Sequence, residues 1–399
     1  MKLVVEHADL ARAVADAVAV VDTSSKISIL SMVRLDAEGG SLSIWANTMT
    51  VELVGTIGAE IEEEGSVCVS AARLSHVVKS APDGSQIALN LTKTKRMTAK
   101  TQRRRFELAT LPAQDFPRFT RDPDEGSFYM QAAALVRLLA HTEPATREDV
   151  TRAYLSGVFL HAGSGRLHAG ATDGHLMLLA VNELGSTPAL PEHREDAKGV
   201  IVPAKACAMI RKVFAQAGEV RISASATVIS VEADGRRLSS KLVAGTYPDL
   251  DRLVPKESAG SIVFYRKDLQ QALAAVAPFG EGAENRGSVV FFVISAGRVV
   301  LLASSAEGMA NEILAAQIDG EPISFAVNHR LLTTALQIAD REQMRLSLNP
   351  EVNGAMLLTE EPADGEGAAA SLLAVVMPRR ETIPKLPEDV EQALAGGDG

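Results

Sequence analysis

A strand–helix–strand block occurs three times in this chain, and the repeat limits the possible folds more than any other feature. The copies span residues 67–91, 200–225 and 323–348. On a helical wheel, the apolar residues Cys207, Ile210 and Phe214 of the second copy share one side. Lys205 and Lys212 fall on the other side. Three copies about 130 residues apart predict three homologous modules.

The segments between these blocks indicate the fold class. Each module opens with a further helical pattern, at residues 8–21, 131–141 and 267–277. Most strand-like segments are joined by short turns such as Asp234-Gly235, which favours antiparallel pairing over parallel βαβ winding. We therefore predict an α+β fold. Its predicted domains cover residues 1–126, 127–257 and 258–380, followed by a flexible tail at 381–399.

The charge balance limits the classes of function. The 399 residues carry a net charge of -10 and have a pI near 5.4. A conventional DNA-binding protein takes its affinity from a strongly basic surface, so the acid excess argues against that class. A locally basic face remains compatible with this composition.

The cysteines and the N-terminus bear on compartment and cofactors. Cys68 and Cys207 lie in apolar patterns without a CxxC pair or a Cys/His ligand set, which predicts buried thiols and no metal. The first residues lack a signal-peptide pattern, and no apolar run approaches the ~20 residues of a membrane span. We therefore expect a cytoplasmic protein with no cofactor and no membrane association.

Residues 171–175, ATDGH, are the cluster that most resembles a catalytic or metal-binding site. Asp173 and His175 are two residues apart, as in an acid–base pair or a ligand pair. No third ligand or nucleophile lies at an informative spacing, and Asp-Gly is common in turns. We interpret the cluster as a turn or as the edge of a binding site. A hydrolase-type enzyme using Asp173 and His175 remains the alternative.

Two further motifs have ordinary structural interpretations. The glycines at 163–165 and 280–287 do not lie between a strand and a helix in a phosphate-loop frame, so they do not predict nucleotide binding. Residues 93–105, KTKRMTAKTQRRR, are strongly basic and fit a solvated hairpin. A surface that binds DNA through this run is a second alternative.

Several segments taken together resemble a known family. They are KLVVEHADL at the start, FELATLPAQDFP closing module one, RAYLSGVFL and ATDGH in module two, KLVAGTYPDLDRLVP closing it, and VVMPRR closing module three. In this order, over about residues 1–380, they resemble the bacterial β sliding clamps, the processivity subunit of DNA polymerase III. Any one segment alone is a weak signal.

The resemblance implies a non-enzymatic accessory subunit that forms a head-to-tail homodimeric ring. Helices would line a basic bore and antiparallel sheets would form the outer wall, with module one of one chain meeting module three of the other. Such a heterologous ring closes the sheet edges and holds double-stranded DNA without sequence readout. The implied partners are the DNA polymerase III alpha subunit, the clamp loader and other proteins with clamp-binding motifs.

Residues expected to contact DNA come from two sources. The resemblance implies contacts at Lys26, Arg73, Lys79, Arg147 and Tyr154. Ser24 itself takes the family's basic position beside Lys26. The polar faces of the helical patterns add Arg137, Lys205 and Lys212.

The resemblance also implies a hydrophobic pocket between modules two and three that receives short linear peptides. Its matching positions are Arg152, Leu155, Thr172, His175, Met177, Pro248, Arg252, Leu253, Val375, Met377 and Pro378. Apolar walls would bury a Leu or Phe anchor, while Arg152, Thr172 and His175 fix the polar groups of the peptide.

Two departures from the family pattern leave open a divergent paralogue with a changed partner set. Leu176 stands where the family commonly has Arg. Residues 381–399 continue past the usual end of the family, and a tail there would crowd or regulate the pocket.

Overall fold

The structure is a computed structural model whose described residues form two compact units. It describes residues 1–22, 25–119, 126–194, 197–281, 287–295, 297–349, 354–362 and 372–395. Unit 1 comprises Met1–Leu139, Leu160–Arg166 and Leu184–Gly245. Unit 2 comprises Ala140–Phe159, Leu167–Glu183 and Thr246–Gly399. The middle predicted module contributes to both units, and the three module limits stay a prediction.

The first third of the chain begins with a strand and a helix and continues into the first repeated block. Its helices are α1 (His7–Val20) and α2 (Ala71–Ser80). Its strands are β1 (Lys2–Glu6), β2 (Met32–Glu38), β3 (Ser41–Asn47), β4 (Val51–Gly58), β5 (Glu60–Glu63), β6 (Gly65–Ser70), β7 (Gln86–Leu91), β8 (Arg96–Lys100) and β9 (Arg105–Pro112).

The middle third has the same order of elements. Its helices are α3 (Ala132–Thr142) and α4 (Ala204–Val213). Its strands are β10 (Gly126–Gln131), β11 (Gly157–Gly163), β12 (Arg166–Thr172), β13 (Leu176–Glu183), β14 (Glu192–Arg194), β15 (Ala197–Pro203), β16 (Glu219–Ala224), β17 (Val228–Ala233) and β18 (Arg236–Lys241).

The last third repeats this order and adds a final helix. Its helices are α5 (Arg266–Val276), α6 (His329–Ile338) and α7 (Glu388–Ala395). Its strands are β19 (Gly260–Tyr265), β20 (Val289–Ser295), β21 (Arg298–Ser305), β22 (Gly308–Leu314), β23 (Ala316–Gly320), β24 (Ile323–Asn328), β25 (Gln343–Leu348), β26 (Met356–Glu360) and β27 (Leu372–Val376). The three repeated blocks thus fold alike, as the sequence predicts.

Unit 1 is organised by one long antiparallel sheet. Its strands follow the order β10-β16-β17-β18-β4-β3-β2-β6-β9-β8-β7-β1-β5. The pairing of β18 with β4 joins middle-module strands to first-module strands, with Leu238 opposite Leu53. Helix α1 packs against β3 and β4 and against helices α2 and α4. This layer of helices on a sheet follows from the apolar stripe of each helix.

The helices bury one face and expose the other. In α2, Leu74 and Val77 are almost fully buried, and the Ser70 hydroxyl caps the helix by accepting a hydrogen bond from the Arg73 N–H. In α4, Cys207 and Ile210 are buried in the same way. Their polar faces therefore remain available to solvent.

Arg236 is a buried cation that ties several elements of unit 1 together. Its Nη1 donates a hydrogen bond of 2.8 Å to the Val213 carbonyl at the end of α4 and lies 3.5 Å from the Asp16 carboxylate of α1. Its Nη2 pairs with Asp234 at 2.7 Å. The guanidinium also lies over the Phe214 ring, 5.5 Å from its centroid. Arg236 therefore neutralises a carboxylate and satisfies a helix end at one point.

Unit 2 contains two antiparallel sheet regions. In one, strands β13, β27, β26, β25, β19 and β23 are neighbours in that order. The other is a four-stranded sheet with the order β22-β21-β20-β24. Helix α5 packs against β21 and β22 and against α6.

A C-terminal strap, residues 379–395, covers one face of the four-stranded sheet. Val390 and Leu394 of α7 are buried against Val293 and Val300. Ile383 and Leu386 pack on both this cluster and a second cluster that includes Phe291. The expected flexible tail is thus, over residues 381–395, a packed segment with a helix. The cause is tertiary contact, since an isolated helix of eight residues is only marginally stable in water.

Replacing Val390 by aspartate is expected to release the strap. A carboxylate buried at this position would lose its hydration without gaining a cation or a hydrogen-bond donor, so α7 should detach from the sheet. Hydrogen exchange of the amides in α7 should then approach the rate of an unfolded chain. Glu391→Gln, on the exposed side of the same helix, is the control and should keep wild-type protection. Equal protection in both variants would contradict the assigned packing.

Some element limits differ from the sequence-based expectations. The apolar run that begins at Ile29 predicts a strand, but the chain forms a 3-10 turn, Ser28–Ser31, before β2. In the second block, Gly218 predicts a helix end near that residue, but α4 ends at Val213. Residues 282–286 of the glycine-containing loop at 280–287 lie outside the described residues, as do Ser24 and residues 396–399.

The expected thiols are buried. Cys68 and Cys207 are thiols outside any disulfide and are almost inaccessible, which confirms that they are buried. Burial raises the pKa of the Cys68 thiol to about 11, so the group stays protonated at neutral pH. In the described part of the chain, no group of three or more His, Cys, Asp or Glu side chains has a metal-binding arrangement. No helix there is long and apolar enough to span a membrane.

Candidate functional site

The turn that joins β12 to β13 is held by side chains of the TDGH sequence. The Asp173 carboxylate Oδ1 accepts hydrogen bonds from the N–H groups of His175 and Leu176, both at 2.8 Å. The Thr172 hydroxyl donates to the Leu176 carbonyl at 2.9 Å and accepts from the Gly174 N–H at 3.1 Å. Gly174 has φ +91°, which favours glycine. Asp173 therefore fixes a turn, and His175 stays exposed at its tip.

Strand β27 brings the chain after it to this turn. It pairs antiparallel with β13, with Val375 opposite Met177. Directly opposite residues share a face of the sheet, so these two predicted pocket residues lie side by side. The Met377 N–H then donates a 2.8 Å hydrogen bond to the His175 carbonyl. Met377 is thus positioned by the backbone of the turn.

Tyr247 connects the turn to a third segment. Its side chain is fully buried, and its hydroxyl accepts a 3.1 Å hydrogen bond from the Thr172 N–H. The ring stacks on Phe159 with centroids 5.2 Å apart and meets the Tyr154 ring edge-on at 6.0 Å. Burial raises the pKa of the Tyr247 hydroxyl, so it remains protonated over the physiological range. Pro248, directly after Tyr247, is therefore held near Thr172.

The loop before β11 is stabilised by an aspartate that the sequence analysis overlooked. Asp149 Oδ1 accepts from the hydroxyl of Thr151 and the N–H groups of Thr151 and Arg152, and these bonds lower the pKa of its carboxyl well below its ordinary value. Its other oxygen accepts from Arg152 Nη2 at 3.0 Å. A Cβ placed on Gly174 would lie 4.0 Å from Arg152 Nη1, so the guanidinium reaches the turn.

Exposed apolar side chains accompany these polar groups. Leu253 is 50% exposed and Met377 is 39% exposed, although both are large and hydrophobic. Leu155, Met177 and Val375 are buried beneath the surface. Arg252 is exposed and pairs with Asp249 at 3.1 Å. These residues all lie in unit 2, and we call them together the Tyr247 site. They are Asp149, Arg152, Leu155, Thr172, Asp173, His175, Met177, Tyr247, Pro248, Asp249, Arg252, Leu253, Val375 and Met377.

A close approach of two segments explains one glycine of the Tyr247 site. A Cβ on Gly170 would lie 2.3 Å from Leu250 Cδ1 and 2.7 Å from Leu179 Cδ2. Only glycine lets the segment that carries Tyr247 and Pro248 lie this close to β12. The arrangement combines buried apolar groups, two exposed apolar side chains and a few polar groups, which is the usual chemistry for binding a short peptide segment. It contains no nucleophile with an adjacent base.

Comparisons with known proteins decide the family. Profiles of the DNA polymerase III beta subunit match in order: the N-terminal domain at residues 1–120, the central domain at 130–249 and the C-terminal domain at 251–374. The chain belongs to this family, the bacterial β sliding clamps. Members are DNA polymerase processivity factors and not enzymes, so the alternative of a hydrolase using Asp173 and His175 is wrong.

Individual clamps are similar over most of their length. The β sliding clamp of Caulobacter vibrioides is 33% identical over 347 residues, which cover 85% of this chain and 91% of that protein. The clamp of Pseudomonas putida is 30% identical over 364 residues, covering 90% and 95%. The crystal structure of the Pseudomonas aeruginosa clamp bound to griselimycin superimposes with a TM-score of 0.86, at 28% identity, over 96% of this chain and 100% of that chain.

The clamp residues expected to contact DNA are mostly exposed in this structure. Arg73 and Lys79 lie on the polar face of α2, and Lys205 and Lys212 lie on that of α4. The remaining exposed members are Lys26, Arg137 of α3 and Arg147. Tyr154 is half-buried because it packs against Tyr247. Their roles in this clamp stay predictions.

Arg73 also lines a groove of unit 1. The groove has a volume of about 490 Å³, and His76, Arg96, Phe106 and Leu108 are among its other lining residues. The His76 and Phe106 rings meet edge-on with centroids 6.2 Å apart. Glu107 also lines the groove and pairs with Arg96 at 2.8 Å. The groove therefore combines apolar groups with a small excess of basic groups.

Sequence reasoning missed the residues that hold the Tyr247 site together. The sequence pattern gives Tyr247 no role beyond its place in the segment KLVAGTYPDLDRLVP, and it gives Asp149 and Asp249 none. A signal was present, since the first module ends in the same way with buried Phe116 before Pro117. A repeated aromatic-Pro pair at a module end indicates an anchored connection.

Proposed function

We propose that this clamp forms a head-to-tail homodimeric ring around duplex DNA and carries replication and repair proteins along it. The single observation that best supports DNA retention is the set of exposed basic side chains on the polar faces of α2, α3 and α4. These belong to a chain whose net charge is -10. Lysines and arginines on such faces suit sliding contacts to phosphates, which carry no sequence information. Its place of work is the cytoplasm, where the bacterial chromosome lies.

The proposed retention is topological, and one comparison tests it. The protein is placed on nicked circular DNA with a clamp loader, and the complex is separated from free protein at high salt. A ring should stay bound to the circular DNA. It should dissociate as soon as a restriction enzyme linearises that DNA. A surface binder that uses residues 93–105 should be lost from both forms as salt rises. Equal loss from circular and linear DNA would refute the ring.

Peptide binding at the Tyr247 site is the second part of the proposal. The partners proposed are the alpha subunit of DNA polymerase III, the clamp loader and other proteins that carry clamp-binding motifs. Leu253 and Met377 expose apolar surface, and Leu155 and Val375 of the same site are buried, which favours an apolar anchor side chain. His175 and Arg152 are exposed and suited to hold polar groups of the peptide.

An exposed strand edge in unit 2 supports the proposed dimer contact. Strand β22 is an edge of the four-stranded sheet and exposes Met309 and Ile313. Phe279 is also 42% exposed, and its ring carbon lies 3.4 Å from where a Cβ on Gly308 would be. Unpaired edges with apolar side chains are prone to association. Glu312 of the same strand and Glu307 just before it would complement Arg73 of the unit 1 groove, which also contains Phe106.

Replacing Ile313 by glutamate is expected to weaken the dimer at least tenfold, because a carboxylate would have to be buried among apolar groups. Sedimentation equilibrium should show twice 42.2 kDa for the wild type and a shift toward 42.2 kDa for the variant. Tyr265→Glu, at an exposed residue outside β22, is the matched control and should remain dimeric. An unchanged mass for Ile313→Glu would exclude this edge from the interface.

A further inference from the structure

The C-terminal strap begins immediately beside the Tyr247 site. The Arg379 N–H donates a 2.7 Å hydrogen bond to the Ala326 carbonyl, and the two residues form an antiparallel bridge. Arg379 follows Met377 by two residues. In an extended chain, residues two apart point to the same side and lie about 7 Å from each other. The side chain of Arg379 thus continues the side of the chain that Met377 occupies.

A cavity of about 460 Å³ lies between the start of the strap and the four-stranded sheet. Arg379, Glu381 and Pro384 line it from the strap, and Val289 and Phe291 line it from strand β20. The strap holds this shape because Ile383, Leu386, Val390 and Leu394 are packed on the sheet. The third family profile ends at residue 374, so the strap lies beyond the part of the chain that this profile matches.

The charges of the cavity favour a cation. Arg379 Nη2 and Glu381 Oε1 form an ion pair at 3.0 Å and largely neutralise each other. Glu281 also lines the cavity, so its described lining residues carry one negative charge in excess. Val289 and Phe291 add an apolar floor. An acidic group above an apolar floor suits a lysine or arginine, whose aliphatic stem packs while its head pairs with a carboxylate.

We propose that this cavity receives a basic side chain of a partner peptide bound at the Tyr247 site. The proposal rests on the peptide binding proposed above and adds a preference to it. A peptide advances about 3.3 Å per residue when extended, so the basic residue lies two or three positions from the anchor nearest Met377. The strap, which forms one wall of the cavity, gives this clamp a selectivity that its domain fold alone does not provide.

The test compares two synthetic peptides by fluorescence anisotropy on the full chain. Both carry the same Leu and Phe anchors, and they differ by lysine or alanine at the second and third positions beyond each end of the anchors. We expect the lysine peptide to bind about three- to fivefold more tightly, the effect of one partly exposed ion pair. The preference should shrink as salt is raised.

Variants separate the cavity from the anchor site. Glu281→Gln should bring the ratio of the two affinities close to one, whereas Glu342→Gln, an exposed residue that does not line the cavity, should keep it. Met377→Ala should weaken both peptides by a similar factor.

Each outcome bears on a different statement. Equal affinity of the two peptides for the wild type overturns the cavity proposal and leaves peptide binding at the Tyr247 site intact. A lysine preference that survives in Glu281→Gln also overturns it, because the cation must then lie elsewhere. If neither peptide binds, or if Met377→Ala has no effect on either, the peptide function of the site fails and the cavity proposal fails with it.

Discussion

Replacing Arg236 by alanine should lower the free energy of unfolding by about 3 to 5 kcal/mol, the usual cost of removing one partner of a buried ion pair. The Arg236 side chain is only 9% exposed, and its loss leaves the Asp16 carboxylate with only the weaker influence of the Arg12 charge. The Val213 carbonyl loses a donor as well. Urea unfolding followed by the fluorescence of Trp45, the single tryptophan, measures the effect in unit 1.

The loss in Arg236→Ala should depend on pH. Burial raises the pKa of Asp16, and the nearby Arg236 charge opposes that rise, so the variant should have a still higher pKa at this carboxyl. A folded-state pKa above the unfolded value gives stability that is present at low pH and lost as pH rises through the folded pKa. The deficit relative to wild type should therefore be largest near pH 7 and smaller near about pH 4.5.

Two controls make this expectation specific. Arg221→Ala removes a cation whose 3.5 Å pair with Glu232 is about one-third exposed, so it should cost less than about 1 kcal/mol. The double variant Arg236→Ala with Asp16→Asn should recover part of the loss, because no unpaired charge is then buried. A deficit that is independent of pH and not relieved by Asp16→Asn would exclude the carboxylate as its cause.

Replacing Tyr247 by alanine should cost about 3 to 5 kcal/mol, as for other large aromatic side chains removed from a core. The variant loses the stacked contact with Phe159 and leaves the Thr172 N–H without its acceptor. Because Pro248 and the turn after Thr172 are held through this residue, binding of a synthetic anchor peptide should be lost as well. Calorimetry measures the stability, since unit 2 contains no tryptophan.

The phenylalanine variant separates the ring from the hydroxyl. Tyr247→Phe keeps the stacking and should cost about 1 to 3 kcal/mol for the unsatisfied Thr172 N–H. The raised pKa of the hydroxyl means that this difference should be constant between about pH 6 and pH 9. Tyr129→Ala, at a residue that is 60% exposed, should change stability by less than about 0.5 kcal/mol. If Tyr247→Ala kept wild-type stability and peptide binding, the anchoring role of Tyr247 would be contradicted.

The repeat made most of the architecture predictable from sequence. The stripe of Cys207, Ile210 and Phe214 identified a helix with one buried side, and the structure buries all three residues. Its exact end was not predictable, because Phe214 continues the helical spacing but adopts a non-helical backbone. Helix ends depend on tertiary hydrogen bonds, here the one that Arg236 donates to the Val213 carbonyl.

The binding site was only partly predictable. Thr172 and His175 are visible in a distinctive sequence, and the resemblance supplied most of the other positions. The connections among them were not visible, since the Tyr247 hydroxyl meets the Thr172 N–H across 75 positions of sequence. Such pairings are set by topology, and a single sequence carries no direct record of them.

The strap was missed for a different reason. Acidic and proline-rich composition favours a disordered tail, yet Leu386, Val390 and Leu394 recur at helical spacing. A second signal lay in β20, where every residue from Val289 to Ile294 is buried. An uninterrupted apolar strand is typical of a sheet covered on both sides, and this strand therefore required a covering segment.

The apolar residues on the covered face of β20 are compatible with a soluble chain only when the C-terminal strap is present to cover them. A truncated variant that ends soon after Pro378 would expose Val289, Phe291 and Val293 to water. Copies of it would then associate through this apolar face. Truncation would be tolerated only after polar residues had replaced this row. The strap and strand β20 are therefore expected to change together during evolution.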